Sequence, residues 1–503
     1  MHVGFLSKAT CFFCVLRIVQ NLKFMDNSLE IRRKSAIMLH VLFCDIGYDL
    51  DMKKRITSLS TTQIILLSFL VTILLGSVLL ALPISTANGQ AVTYLDALFT
   101  ATTSTCVTGL VTLPTITTWS VFGQAVILIL IQIGGLGIIT IMSGVMILLN
   151  RKMGISDRLL IQDAFNLNTM AGMVRFVKNV IFGTLVIEGI GAVMYMFVFI
   201  PDFGVRGIWV SVFNSVSAFC NAGIDIIAEN SLCNYATNPL INGVTTALII
   251  LGGLGYIVWW DVLRVIKSRS FRNKKIFRHL TLHSKIAITA TIGLILGGAL
   301  ILFILEYDNP ATIGNLSLFD KMQVSFFQSV TTRTAGFATV PQENLTNSSA
   351  VVSLLLMLIG GSPVGTAGGI KTVTITVLFS TALATIRNKN SATMFGRRIS
   401  EASVRKAVAV VVAFLSICMA STLLLMATSN ASALDVVYET VSATATVGLS
   451  RNLTASLNAI GKLVIIVTMY FGRVGPISLA VALGSANESQ NVISVPTEEI
   501  SIG

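Results

Sequence analysis

From residue 62 onward, one pattern of apolar and polar positions runs four times along the chain. A long apolar run is followed by a polar loop, a short amphipathic segment, a tract rich in Thr, Ala and Gly, and a second long apolar run. The first runs cover roughly 62–82, 179–200, 284–305 and 407–428, and the second runs 122–149, 240–262, 351–385 and 459–483. Each supplies about 20 or more residues, enough for a helix to cross ~30 Å of hydrocarbon. The short segments near 94–103, 208–218, 318–330 and 433–443 cannot cross, and they fit re-entrant helices.

The tracts that close these short segments carry the candidate chemistry. They read Thr105-Cys106-Val107-Thr108-Gly109-Leu110, Phe219-Cys220-Asn221-Ala222-Gly223-Ile224, Thr332-Arg333-Thr334-Ala335-Gly336-Phe337 and Ala445-Thr446-Val447-Gly448-Leu449. Their glycines are separated by 114, 113 and 112 residues, a regularity that outranks any local reading and predicts four equivalent membrane hairpins. Non-helical backbone at membrane depth is tolerated only where protein buries it or where it lines a watery cavity. Four such tracts around one axis make a ring of carbonyl oxygens, which can replace the water a potassium ion sheds. Glycine aims those carbonyls inward without a Cβ penalty. Helix C-termini pointing at the ring add partial negative charge, up to about half a charge each, and disfavour anions. The candidate ion-binding residues are therefore Val107, Thr108, Gly109, Asn221, Ala222, Gly223, Thr334, Ala335, Gly336, Thr446, Val447 and Gly448.

Composition narrows the class. Hydrophobic residues make up 54% and charged residues 12% of the 503 positions, against about 25% charged in soluble chains. The pattern is that of a multi-pass membrane protein. The net charge of +12 does not point to nucleic acid, because Lys and Arg cluster in 53–55, 151–178, 264–285 and 387–406, while the loops on the other side hold only Arg206, Lys321 and Arg451. Such alternation marks the cytoplasmic side. Seven cysteines show no disulfide framework, and the Cys11–Cys14 spacing lacks a second pair. His279 and His283 have metal-ligand spacing but sit in a strongly basic loop and read as a solvated helix. The Gly134–Gly137 run Gly-Gly-Leu-Gly lies inside an apolar stretch, so it is no dinucleotide fingerprint. No acid/base pair, metal cluster or nucleophile motif supports an enzyme or a bound cofactor.

Two features interrupt the pattern. Residues 360–371 hold five glycines and a proline where a continuous helix should run, and twelve such residues predict an intramembrane loop rather than a kink. The Gly134-Gly135, Gly252-Gly253 and Gly472 spots of the sister runs read as simple kinks. Arg473 puts a charge inside the last run, which implies a cavity or a polar partner. Arg333, beside a filter residue, is expected to point behind the tract and brace against an acidic group.

Thr446-Val447-Gly448 matches the start of the potassium-channel filter. Together with 331–337, 220–223 and 442–449 it resembles the KtrB branch of the Trk/Ktr/HKT cation transporter superfamily, over essentially 52–503. All four filter glycines are present; a serine at the first admits sodium in some relatives. The larger TrkH-type members carry two extra N-terminal spans that residues 1–51 do not supply. The resemblance implies an all-α integral membrane protein with four pseudo-symmetric helix–pore-loop–helix repeats around one central pore, in the cell membrane. It implies potassium as the transported ion, with sodium as a second candidate. It also implies a homodimer on a ring of cytoplasmic KtrA-type nucleotide-binding regulatory subunits, in contact with membrane lipid. The tail 496–503 resembles the family's C-terminus, which tucks into the dimer interface. The loop at 360–371 would lie under the filter and gate it, with Gly361, Gly365, Gly368, Gly369, Lys371 and Arg473 as gate residues. The expected organisation is an N-terminal extension at 1–51, either disordered or not native since Met52 opens a natural start, then repeats at 52–174, 175–283, 284–398 and 399–503. A secondary symporter with broken helices and alternating access stays open as the other reading.

Overall fold

The structure, a computed structural model, describes residues 61–87, 92–149, 154, 158–159, 161–162, 172–267, 276–389 and 391–475. The expectations for 1–51, for Cys11 and Cys14, for the 53–55 cluster and for the tail at 496–503 lie outside these residues.

The repeat pattern reappears as helices. The first hairpin comprises α1 (Thr61–Leu80), α2 (Tyr94–Cys106), α3 (Val121–Leu136) and α4 (Ile138–Leu148). The second comprises α5 (Met173–Phe203), α6 (Arg206–Cys220), α7 (Pro239–Leu254) and α8 (Tyr256–Lys267). The third comprises α9 (Leu282–Glu306), α10 (Leu318–Thr331), α11 (Asn347–Leu358) and α12 (Thr372–Ile386). The fourth comprises α13 (Glu401–Thr428), α14 (Ala433–Ala445) and α15 (Ala459–Val474). A two-residue hairpin, Thr393–Met394 against Arg397–Arg398, departs from an otherwise helical chain between the third and fourth hairpins. His279 ends a separate short turn, Ile276–His279, while His283 lies in the first turn of α9, so the two do not share one helix.

Polarity sorts the helices into two shells. α1, α5, α9 and α13 are each long and apolar enough to cross a membrane, with only 22–33% of their most apolar stretch buried. Outward rows such as Leu67, Leu70, Leu74 on α1 and Leu296, Leu300, Ile304 on α9 stay exposed. In water such faces would aggregate; in a bilayer they meet lipid tails. The short helices reverse the pattern. Most of α2 is buried, including Thr100 and the whole run Thr102–Thr105, and so is most of α14. Small polar side chains thus face inward, and several return a hydrogen bond to their own helix, as Thr102 does to the Leu98 carbonyl at 2.7 Å and Ser104 to the Thr100 carbonyl at 2.6 Å.

Capping residues fix where each helix starts. Thr93, Ser317 and Ser432 cap α2, α10 and α14, each accepting at 3.2 Å from the backbone N–H of the aspartate three residues on. Those aspartates sit in the positive first turn, where a carboxylate is stabilising. α6 opens with Arg206 and has no such cap. Ser120, Asn238, Thr346 and Asn458 cap the helices that follow the four tracts.

The second runs differ from the sequence expectation. The runs 122–149 and 240–262 are not continuous spans: α3 and α4 meet at 97°, and α7 and α8 at 94°. The breaks fall at Gly137 (φ 84°, ψ 136°) and Gly255 (φ 85°, ψ 143°), and Gly475 after α15 repeats the geometry at φ 92°, ψ 136°. Only glycine holds such dihedrals at little cost. The motif is Gly-x-x-Gly, at 134–137, 252–255 and 472–475, and what read as local kinks is a shared breakpoint.

Candidate functional site: a four-fold ring of glycine turns

The four tracts turn at corresponding positions, directly at the helix end in repeats 1, 2 and 4 and two residues past the helix cap in repeat 3. Val107, Asn221, Thr334 and Thr446 take left-handed backbone at φ 55°, 59°, 66° and 52°, and the glycines two residues on follow at 97°, 63°, 83° and 96°. Four non-glycine residues in this region, at corresponding positions, are a costly arrangement that the surroundings must hold in place.

Hydroxyls supply part of that hold. In repeats 1 and 4, the Gly109 and Gly448 N–H groups donate at 3.0 Å to Thr103 and Ser442. In repeats 2 and 3 the direction reverses: Ser217 and Thr331 donate at 2.5 and 2.6 Å to the carbonyls of Ile224 and Phe337. Sequence reasoning passed over these four residues, although a Ser or Thr five or six residues before each glycine was a usable signal.

The tracts close into a ring. A Cβ placed on Gly109 would lie 2.5 Å from the Ala222 carbonyl oxygen. One on Gly223 would lie 2.5 Å from that of Ala335, and one on Gly336 2.7 Å from that of Val447. On Gly448 it would overlap the Thr108 oxygen. Each glycine therefore abuts the carbonyl that precedes the glycine of the next repeat, in the order 1, 2, 3, 4 and back to 1. All twelve candidate residues from the sequence take part in these four turns. At the opposite end of the short helices, Lys462 of α15 meets Asp96 of α2 at 2.5 Å and ties repeat 4 to repeat 1. Arg451 pairs with Asp435 at 2.8 Å and donates to the Gln342 carbonyl of repeat 3 at 3.0 Å.

The breakpoint glycines support the ring from beside it. A Cβ on Gly134, Gly252 or Gly472 would strike the carbonyl oxygens of Thr105, Phe219 or Thr444, four residues before the respective ring glycines. Their bare backbones let the second helices press against the ends of α2, α6 and α14.

Repeat 3 departs from this plan. Between α11 and α12 the chain leaves the helix over 359–371 and is stitched down on every side. Gly360 N–H donates to Ile370 O at 3.0 Å, Ser362 N–H to Gly253 O at 2.8 Å and Tyr256 N–H to Val364 O at 3.1 Å. Thr366 carries the densest set: its hydroxyl donates at 3.1 Å to the Phe219 carbonyl and to Asn221 Oδ1, while its own carbonyl accepts from Arg473 at 2.6 Å. Gly368 N–H reaches Thr334 Oγ1 at 3.2 Å. The loop therefore touches ring tracts of repeats 2 and 3 directly.

Its placement agrees with the interruption read from sequence. Loss of helix is compensated by bonds to neighbours, as membrane burial requires. Gly361, Gly365, Gly368, Gly369 and Lys371 all lie on the loop or at its exit, and Lys371 donates to the Ala367 carbonyl at 2.5 Å. Arg473 faces a cavity of about 390 Å³ that the loop also lines, and its guanidinium joins Thr366 O to Gly134 O. Arg333 does point behind its tract. Its hydrogen bonds, however, go to the Gly360 carbonyl at 3.0 Å and the Thr291 carbonyl at 3.5 Å. The expected acidic partner is replaced by backbone carbonyls, of which that of Gly360 is left free by the broken helix.

Membrane-crossing outer helices, re-entrant inner helices and a closed ring of carbonyl-bearing turns define a polytopic membrane protein of the pore-loop class. Residues 41–494 match the family described as "TrkH: Cation transport protein". The chain is 39% identical over 459 residues to the potassium/sodium uptake protein NtpJ of Enterococcus hirae, covering 90% of this chain and 99% of that one. It is 39% identical over 442 residues to the Ktr system potassium uptake protein B of Bacillus subtilis, covering 88% and 96% respectively. The crystal structure of the potassium transporter TrkH from Vibrio parahaemolyticus superposes with a TM-score of 0.66 over 83% of this chain and 85% of that one, at 19% identity, and so shares its fold. The chain belongs to the TrkH family of cation transport proteins, in its Ktr branch.

Proposed function

We propose that the protein takes up potassium across the cell membrane through the carbonyl ring, with sodium as a second permeant or coupling ion. The observation that carries this is the cyclic contact of Gly109, Gly223, Gly336 and Gly448, each against the carbonyl of the next repeat. A ring built from four corresponding turns offers oxygens from every side to one ion on its axis, and close crowding rewards an ion that has lost its water. Val107 to Gly109, Asn221 to Gly223, Thr334 to Gly336 and Thr446 to Val447-Gly448 are its filter. A shared four-fold axis favours this reading over alternating access, which draws on two-fold repeats. The names of the relatives, a potassium/sodium uptake protein and a potassium uptake protein, support the ion assignment.

On the same reading, the loop through Gly361, Gly365, Gly368 and Gly369 is the gate, with Lys371 and Arg473 adding positive potential where charge is poorly screened. The repeats divide at 174, 283 and 398. The subunit works as a homodimer on a cytoplasmic KtrA-type nucleotide-binding regulator, which opens the path by pulling on α12 as it leaves Lys371. The test is rubidium and sodium uptake in cells deficient in potassium transport, with and without the co-expressed regulator. Rubidium uptake that outcompetes sodium and rises with the regulator supports the proposal. Uptake that saturates and is strictly coupled to the gradient of a co-transported ion would replace it with the symporter.

A further inference from the structure

The residue just before each left-handed turn sits behind the ring, three positions ahead of the glycine. The four repeats furnish it differently, with Cys106, Cys220, Arg333 and Ala445. Arg333 reaches the gate loop, and Ala445 has no polar group. Cys220 alone meets a carboxylate.

That carboxylate is Glu188, near the middle of α5 and 4% exposed. Gln132 of α3 donates its side-chain amide to one Glu188 oxygen at 3.1 Å. The Cys220 thiol lies 3.8 Å from the other and 3.6 Å from the Gln132 oxygen. The Ser215 hydroxyl of α6 donates to the Glu188 carbonyl at 2.6 Å, so backbone and side chain of this residue both hold the same short helix. In repeat 3 the matching hydroxyl, Ser329, donates to Ile295 at 2.8 Å. The backbone tie is therefore shared between repeats, and the carboxylate is added only in repeat 2.

An ionisable residue in the middle of a membrane helix is expensive and by default marks function. Nothing in the transport path as described uses Glu188. Its partners belong to two helices, α3 and α6, and its carboxylate meets α6 at that helix's last residue. Gly135 presses on the same thiol, since a Cβ there would lie 2.5 Å from Cys220 Sγ. Cys220 is thus held on one side by bare backbone and on the other by the Glu188–Gln132 pair. The next residue, Asn221, starts the turn, and Ala222 then presents its carbonyl against Gly109.

We propose that Glu188 is a positioning residue for ion discrimination: through Cys220, and with Gln132 as bridge to repeat 1, it sets the register of the repeat 2 turn and the aim of the Ala222 carbonyl. This inference rests on the filter reading above. A carbonyl that swings out of the ring leaves room for water, and a hydrated small cation then competes better with a dehydrated larger one.

The experiment measures rubidium uptake with competing sodium, in membranes of matched protein abundance, as a ratio that does not depend on how much protein folds. Glu188→Ala is expected to lower the preference for rubidium about tenfold, and Glu188→Gln, which keeps the shape and one acceptor for Gln132 while its amide can donate to the Cys220 sulfur, to restore most of it. Cys220→Ala leaves a small side chain in place and should shift the ratio in the same direction, which keeps the test valid if Glu188→Ala does not insert. Gly223→Ser serves as the control on the ring itself. If it changes the ratio while Glu188→Ala and Cys220→Ala do not, the filter stands and the positioning role is refuted. If Gly223→Ser also leaves the ratio unchanged, the filter reading fails and this inference falls with it. An equal loss in Glu188→Gln and Glu188→Ala would overturn the positioning role too, because geometry would not be what the carboxylate supplies.

Discussion

Arg473→Ala should open the path without the regulator. The guanidinium joins the Thr366 carbonyl of the gate loop to the Gly134 carbonyl at the α3 breakpoint. Hydrogen bonds from a charged donor are each worth about 1.5–3 kcal/mol. In an open state the same guanidinium could hydrate from the cavity it faces, so roughly 2 kcal/mol is a fair net preference for the closed loop. Removing that preference raises the open fraction by a factor of about 30, since about 1.4 kcal/mol is tenfold. Where the closed state dominates, initial-rate rubidium uptake without regulator should rise by the same factor. With a saturating regulator it should change little. Arg473→Lys, a point charge without the guanidinium fork, should fall between the two. Shortening 365–369 removes the Thr366 anchor as well and should act in the same direction. Basal uptake at the wild-type level in both variants, at matched membrane abundance, would refute the gate and leave the interruption as a packing device.

Gly109→Ser and Gly448→Ser put a side chain where φ exceeds +90° and where a neighbouring carbonyl already sits, so potassium preference over sodium should fall in uptake competition while the protein still inserts. Lys462→Met strands Asp96, which is 6% exposed, and should cost about 3 kcal/mol, read as lower thermal stability in detergent; Asp96→Asn with Lys462→Met should recover part of it. Deleting 500–503 should weaken the dimer and spare insertion, which cross-linking or native mass measurement would report.

Much of the architecture was legible because membrane burial writes long, simple signals. The outer helices and the four short helices lie within a few residues of the apolar runs and amphipathic segments, and the glycine spacing alone located all four turns. The breakpoints were less legible. Gly134-Gly135 and Gly252-Gly253 announced weak points, but bends of more than 90° follow from the dihedrals of Gly137 and Gly255, set by how closely the helices pack on Thr105 and Phe219. Partners across repeats were hidden altogether. That Arg333 would find carbonyls rather than an acid, or that Glu188 would meet Cys220, depends on helices brought together from distant parts of the chain. A single glutamate in the apolar run 179–200 was visible; its purpose was not.

The interrupted second helix of repeat 3 has a mechanical consequence. Three repeats end their second helices at the same glycine hinge, and one replaces it with a loop pinned beneath its neighbours. On the proposed gating, such a pore would not open like an iris, whose leaves must all retreat together. It would open like a bolt drawn from one side of a collar. Throughput would then be set chiefly by one repeat, and the loop's bonds to Asn221 and Thr334 would be where the collar feels the bolt move.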